Sequence, residues 1–126
     1  MVVRSITGYE QLFVATFTMP GFLAVRTGQL KWRNATGRAL TVVAVKGDVG
    51  TAPTGATVIV DINKNGTTMF TTQANRPTVA TSALVTSTTL PDVTSVADGD
   101  LITMDVDQIG STIIGKDLVV QVVMKG

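Results

Sequence analysis

The chain has 126 residues, 44% of them hydrophobic and 15% charged, with a net charge of +1. That length suits one domain with a real core. The balance excludes a disordered chain, and the near-neutral charge supplies no whole-chain field to draw in nucleic acid or an acidic membrane. There is no histidine and no cysteine. The commonest general base, the usual nucleophile–histidine pairs, the commonest zinc ligand and any disulfide are therefore missing, and neither an enzyme nor a cofactor- or metal-dependent protein is expected.

The N-terminus "MVVRSITGYEQ" lacks the apolar core of a signal peptide. The most apolar window, Phe13 to Val25, is cut by Thr16, Thr18 and Pro20-Gly21 and is too short to span a bilayer. A soluble protein with no membrane segment follows as the expectation. Threonine and valine dominate the rest, and both are β-branched residues that favour strands.

Period-two alternation runs through the chain in order. Phe13, Ala15, Phe17 and Met19 share one face of the first predicted strand, and Leu30 and Trp32 face away from Lys31 and Arg33 in the second. Leu40–Lys46 is apolar on both faces, which predicts a central buried strand. Val58, Val60 and Ile62 alternate with Ile59, Asp61 and Asn63. Ile102, Met104 and Val106 alternate with Thr103, Asp105 and Asp107, and Leu118, Val120, Val122 and Met124 line one side of the last strand. Turn signals separate these runs at Pro20-Gly21, Thr27-Gly28, Thr36-Gly37, Gly50 to Gly55, Asn65-Gly66, Asp98-Gly99 and Ile114-Gly115. The Thr/Ser-rich stretch from Thr78 to Ser95 reads as a long crossing connection with one irregular strand. Together these predict an all-β fold: a single-domain antiparallel β-sandwich over residues 1–126, jelly-roll-like.

The segment "DINKNG", Asp61 to Gly66, matches the opening of an EF-hand calcium loop. Position 12 of that loop falls on Thr72 where a bidentate glutamate is required, position 9 falls on Met69, and both flanks alternate like strands. A hairpin explains the same letters better, because Asn and Gly tolerate the positive φ of tight turns. A two-residue Asn65-Gly66 loop and a three-residue loop with Gly66 left-handed both serve.

Other candidate chemistry has a plainer reading. Asp105 and Asp107 lie about 7 Å apart on one strand face, near Asp98 and Asp100, and paired carboxylates can hydrolyse glycosides or hold calcium. With Met104 and Val106 facing the core, both carboxylates are expected in solvent. Trp32, flanked by Lys31 and Arg33, has the composition of a base- or sugar-stacking site, but alternation turns it inward. "GTAPTG" lacks the lysine and the following helix of a phosphate loop. Residues 1–50 carry Arg4, Arg26, Lys31, Arg33, Arg38 and Lys46 against Glu10 and Asp48, a net of +4, and the remainder nets −3. Opposite patches of this kind can steer association between copies.

From Gly50 onward, "GTAPTGATVIVDINKNGTTMFTTQANRP", then "DVTSVADGDLITMDVDQIGST" and a closing "KDLVVQVV" resemble a module of structural proteins in tailed bacteriophages. Minor tail, fibre-like and head-decorating proteins carry it. The resemblance covers residues 39–126, with residues 1–38 left as N-terminal strands and a docking region. It implies a β-sandwich that oligomerises, often as a trimer, on the virion. Its partners would be other virion proteins, major capsid or tail subunits, and it brings no catalytic, cofactor or metal residue. Capsid decoration is the favoured expectation; a minor tail or fibre module that binds a host receptor or glycan is the alternative. The contact surface is expected at Arg26, Lys31, Arg33 and Arg38 in the basic N-terminal third, and on an apolar face near Phe17 and Phe22.

Overall fold

The computed structural model describes residues 11–126. Nine strands are found among them: β1 (Leu12–Phe22), β2 (Arg26–Arg33), β3 (Leu40–Asp48), β4 (Val58–Lys64), β5 (Thr67–Thr68), β6 (Thr78–Val79), β7 (Ser95–Val96), β8 (Leu101–Ile109) and β9 (Lys116–Lys125). The one helical piece among the described residues is a 3-10 turn over Gln73–Asn75. Two antiparallel sheets form, one in the order β1-β9-β3-β7 and the other β2-β8-β4-β5, with β6 also on β4. β1 to β4 pass alternately from one sheet to the other, as do β7 to β9, while β5 and β6 stay beside β4; β1 lies beside β9. The expected all-β, single-domain sandwich is what the chain builds.

The core lies between the sheets and follows the alternation. From the first sheet come Ala15, Phe17, Val42, Val45, Leu118, Val120, Val122 and Met124; from the second, Val58, Val60, Ile62, Ile102, Met104 and Val106. Trp32 and Leu30 pack against this cluster half-buried, as expected. Met69 and Phe70 are both buried although they are adjacent, because the chain leaves the β-ladder after Thr68 and no longer alternates.

Three expectations need correction. Leu40–Lys46 is not buried on both faces: Thr41 and Lys46 are exposed and Val43 and Ala44 half-exposed. A bulge between Val42 and Ala44 shifts the pairing with β9, so one extra residue turns an alternating strand into an apparently continuous apolar run. Pro20-Gly21 and Thr27-Gly28 are not the turns between strands. Both lie inside β1 and β2, at irregularities in their pairing with β9 and β8. Gly21 and Gly28 have φ of 76° and 67°, and each donates its N–H to an aspartate, Asp117 Oδ1 at 2.6 Å and Asp105 Oδ1 at 2.7 Å. The third correction, at Phe17, belongs to the interface described below.

The "DINKNG" segment is a hairpin. Lys64 pairs with Thr67 and Asn63 with Thr68, which selects the two-residue loop. Asn65 and Gly66 both take positive φ, 50° and 86°, the requirement of a type I′ turn.

Candidate interaction surface

The residues expected at an interface do not form one patch. Phe17 is 2% exposed and packs in the core, so it offers no surface; alternation places it on the inner face of β1. Phe22, beyond the bulge at Gly21, is 70% exposed, with the Lys116 ammonium 4.6 Å from its ring centre. Lys31 and Arg33 project from the outer face of the edge strand β2, and the Arg33 guanidinium donates to Gly99 O at 2.7 Å. Arg26 donates to the carbonyl of its neighbour Val25. Arg38 reaches Gly126 O at 3.4 Å and lies 6.0 Å from the Phe13 ring. Phe22 is paired with Lys116 at the start of β9 and Arg38 touches the residue after its end. About 30 Å of strand separates them. Arg4 and Glu10, counted in the charge of the first half, lie outside the described residues.

The molecule instead has two unlike ends. At one end four connections meet: Leu23 donates to Gly115 O, Thr54 to Ile113 O, Val49 to Leu84 O and Ser82 to Pro53 O. Phe22, Val25, Leu84, Val85 and Ile113 are all exposed there. Sequence reading missed this cluster, because its members are scattered over ninety residues and come together only through the topology. Periodicity gives no signal for it.

The other end is polar and tightly bonded. Asn34, fully buried, donates through Nδ2 to Arg38 O, Val96 O and Ala97 O and accepts from Thr36 N and Thr36 Oγ1. Its backbone donates to Asp100 O and accepts from Gly99 N. One asparagine thus ties together the chain around β2, β3, β7 and β8. Nothing in the sequence singles it out.

Every aspartate after Asp48 accepts a hydrogen bond from inside the chain. Asp98 receives Gly37 N, Asp100 receives Ala97 N and Asn65 Nδ2, and Asp92 receives Thr72 N and Oγ1. Asp107 is bridged by Arg76 at 2.8 Å. Hydrogen bonds from Asn65 and the Ala97 N–H hold the Asp100 carboxyl below the usual range, and the Thr72 N–H with the hydroxyls of Thr71 and Thr72 does the same for Asp92. Asp61 differs. It is buried, accepts from Ile62 N and Thr68 Oγ1, and burial pushes its carboxyl up. These carboxylates fix turns, bulges and strand ends. Among the described residues no three acidic side chains converge on a point where a metal ion could sit.

No protein-family model matches the chain, and no curated protein matches it by sequence. Its fold does have a counterpart. The chain is similar to a chain in the solved structure of the cyanophage Pam1 capsid asymmetric unit, with a TM-score of 0.58 and 12% identity over 92% of this chain and 85% of that one. The likeness is one of fold, and it extends over nearly the whole sandwich.

Proposed function

We propose that this protein is a structural component of a bacteriophage virion, which decorates or stabilises the particle surface through protein–protein contacts and not through catalysis. The observation that carries this reading is the near-full-length likeness to a chain of a phage capsid asymmetric unit. The blocks at Asp61–Gly66, Gln73–Pro77 and Asp98–Gly110, which resemble phage structural modules, point the same way from the sequence. Crossings between the two sheets, with β1 beside β9, are compatible with a jelly-roll-like sandwich, an architecture suited to close packing on a shell. Committed carboxylates and a cysteine-free, histidine-free chain fit a protein that works by shape.

On this reading the apolar end at Phe22 faces the capsid or tail subunits, since exposed apolar clusters mark association surfaces. Quantitative mass spectrometry of purified virions tests it. Hundreds of copies per particle are expected for a capsid decoration protein. A handful, together with binding of the isolated protein on a glycan array, would favour the tail or fibre alternative. Absence from the particle would refute both.

A further inference from the structure

We propose that Asn65 is a modification site: it deamidates through Gly66, is held back by a clasp to Asp100 and Leu101, and once converted keeps that clasp from closing again. Asn65-Gly66 is the one Asn-Gly step in the chain; the other asparagines precede Ala35, Lys64 and Arg76. An asparagine deamidates when the backbone nitrogen of the next residue attacks its side-chain carbonyl carbon. A glycine there leaves that nitrogen unshielded, since it has no side chain. Asn65 and Gly66 are both exposed. Among the described residues the Gly66 N–H donates no hydrogen bond, and the space around Gly66 is open. Asp98-Gly99 could form the same ring, but there the nitrogen is committed: the Gly99 N–H donates to Asn34 O at 2.7 Å.

The bond that forms joins Gly66 N to Asn65 Cγ. The bond that breaks is Asn65 Cγ–Nδ2, and Nδ2 leaves as ammonia with the proton lost by Gly66 N. Water then opens the five-membered imide at either carbonyl, giving aspartate or isoaspartate. The clasp works against the first step. Asn65 Nδ2 donates to Asp100 Oδ1 and Asn65 Oδ1 accepts from Leu101 N, both at 2.9 Å, while Asn65 N donates to Leu101 O at 2.8 Å. The side chain cannot swing to Gly66 without giving up both of its bonds. The turn opposes the attack as well. The first central residue of a type I′ turn has ψ of about +30°, and ring closure needs a large rotation from there to bring the Gly66 nitrogen alongside Cβ. The hairpin must open first, and such local opening costs less than global unfolding. Conversion is one-way, because ammonia is lost. The new carboxylate still accepts from Leu101 N but has no hydrogen to give Asp100, so two like charges face each other. The nearby Lys64 ammonium is already bonded to Ser95 O. Asp100 O accepts from Asn34 N, so the damage reaches the hydrogen-bonded end of the molecule. The site is independent of the virion reading.

Peptide mapping that separates the isoaspartyl form tests this on the full-length chain, aged at mildly alkaline pH. In urea Asn65 is expected to convert before the other asparagines. In the folded chain it should convert at least about tenfold more slowly than in urea. Asp100→Ala, which removes the acceptor of Nδ2, should raise the folded-state rate about fivefold. Asp92→Ala removes comparable bonds, from Thr72 N and Oγ1, that touch no residue of the clasp, and should leave the rate within about twofold. Asn65→Asp, made directly, should melt a few degrees below the unmodified chain at neutral pH. The proposal is overturned if folded and unfolded chains convert alike, or if another asparagine converts first in urea. It is equally overturned if Asp100→Ala leaves the rate unchanged, if Asp92→Ala raises it as much, or if Asn65→Asp melts with the unmodified chain.

Discussion

Asp61 sits on the outer face of β4 directly opposite Asp105 on β8, a cross-strand pair of like charges. Burial first, with the Asp107 carboxylate adding to it, raises the Asp61 pKa, so folding favours the neutral form. The stability from that preference is complete below the ordinary carboxylate pKa and is lost as pH rises through the raised value. Asp61→Asn, which keeps the acceptor for Ile62 N and Thr68, is therefore expected to stabilise the protein at pH 7 by on the order of 0.2–1 kcal/mol. The gain over the unmodified chain should vanish below about pH 4. Urea midpoints at the two pH values check both statements; a loss of stability at pH 7 would show that the carboxylate is needed charged. Asn34→Ala should cost more, about 1–3 kcal/mol, because it removes a buried side-chain donor from Val96 O and the bonds to Arg38 O and Ala97 O. The sequence drew attention to Asp61 only as the first position of a calcium-loop match that fails at Met69 and Thr72, and did not mark Asn34 at all. A single buried asparagine has no periodicity and no motif, and two of the carbonyls it reaches come from chain more than sixty residues away.

At the scale of elements, alternation located every long strand, since a half-buried strand writes its two faces directly into the sequence. It failed where one residue breaks the period. The bulge at Val43 hid the exposed face of β3, and glycines at Gly21 and Gly28 read as strand-ending turns when they are bulges inside strands. The exposed cluster at the Phe22 end was invisible for a different reason: four connections build it, and which connections meet depends on strand order. The hairpin at Asn65-Gly66 was legible, because a type I′ turn needs positive φ at both central residues and few residues but Asn and Gly supply it. Gly66 has open space around it, so Gly66→Val is strained by backbone conformation alone, on the order of 1–3 kcal/mol. Lys64→Ala, which removes an exposed bond to Ser95 O, should stay within about 0.5 kcal/mol. Equal urea midpoints for the two variants would contradict the turn assignment.

The whole molecule is a sandwich with a polar, hydrogen-bonded end and an apolar, exposed one. Acid should unfold it through the carboxylates that hold its turns. Asp92 and Asp100 have lowered pKa values, so their contribution is present above the ordinary carboxylate range and is lost as pH falls through the lowered values. Thermal melts are expected to be flat near neutrality and to drop below about pH 4. Phe22→Glu should leave the melting temperature within a few degrees of the unmodified chain, the side chain being largely in solvent, yet weaken attachment to particles that lack the protein. Where the protein sits decides the account. A cryo-electron reconstruction of the virion is expected to show this two-sheet sandwich on the particle surface, with its Phe22 end against the underlying subunits. Particles that are complete and contain no such density would contradict it.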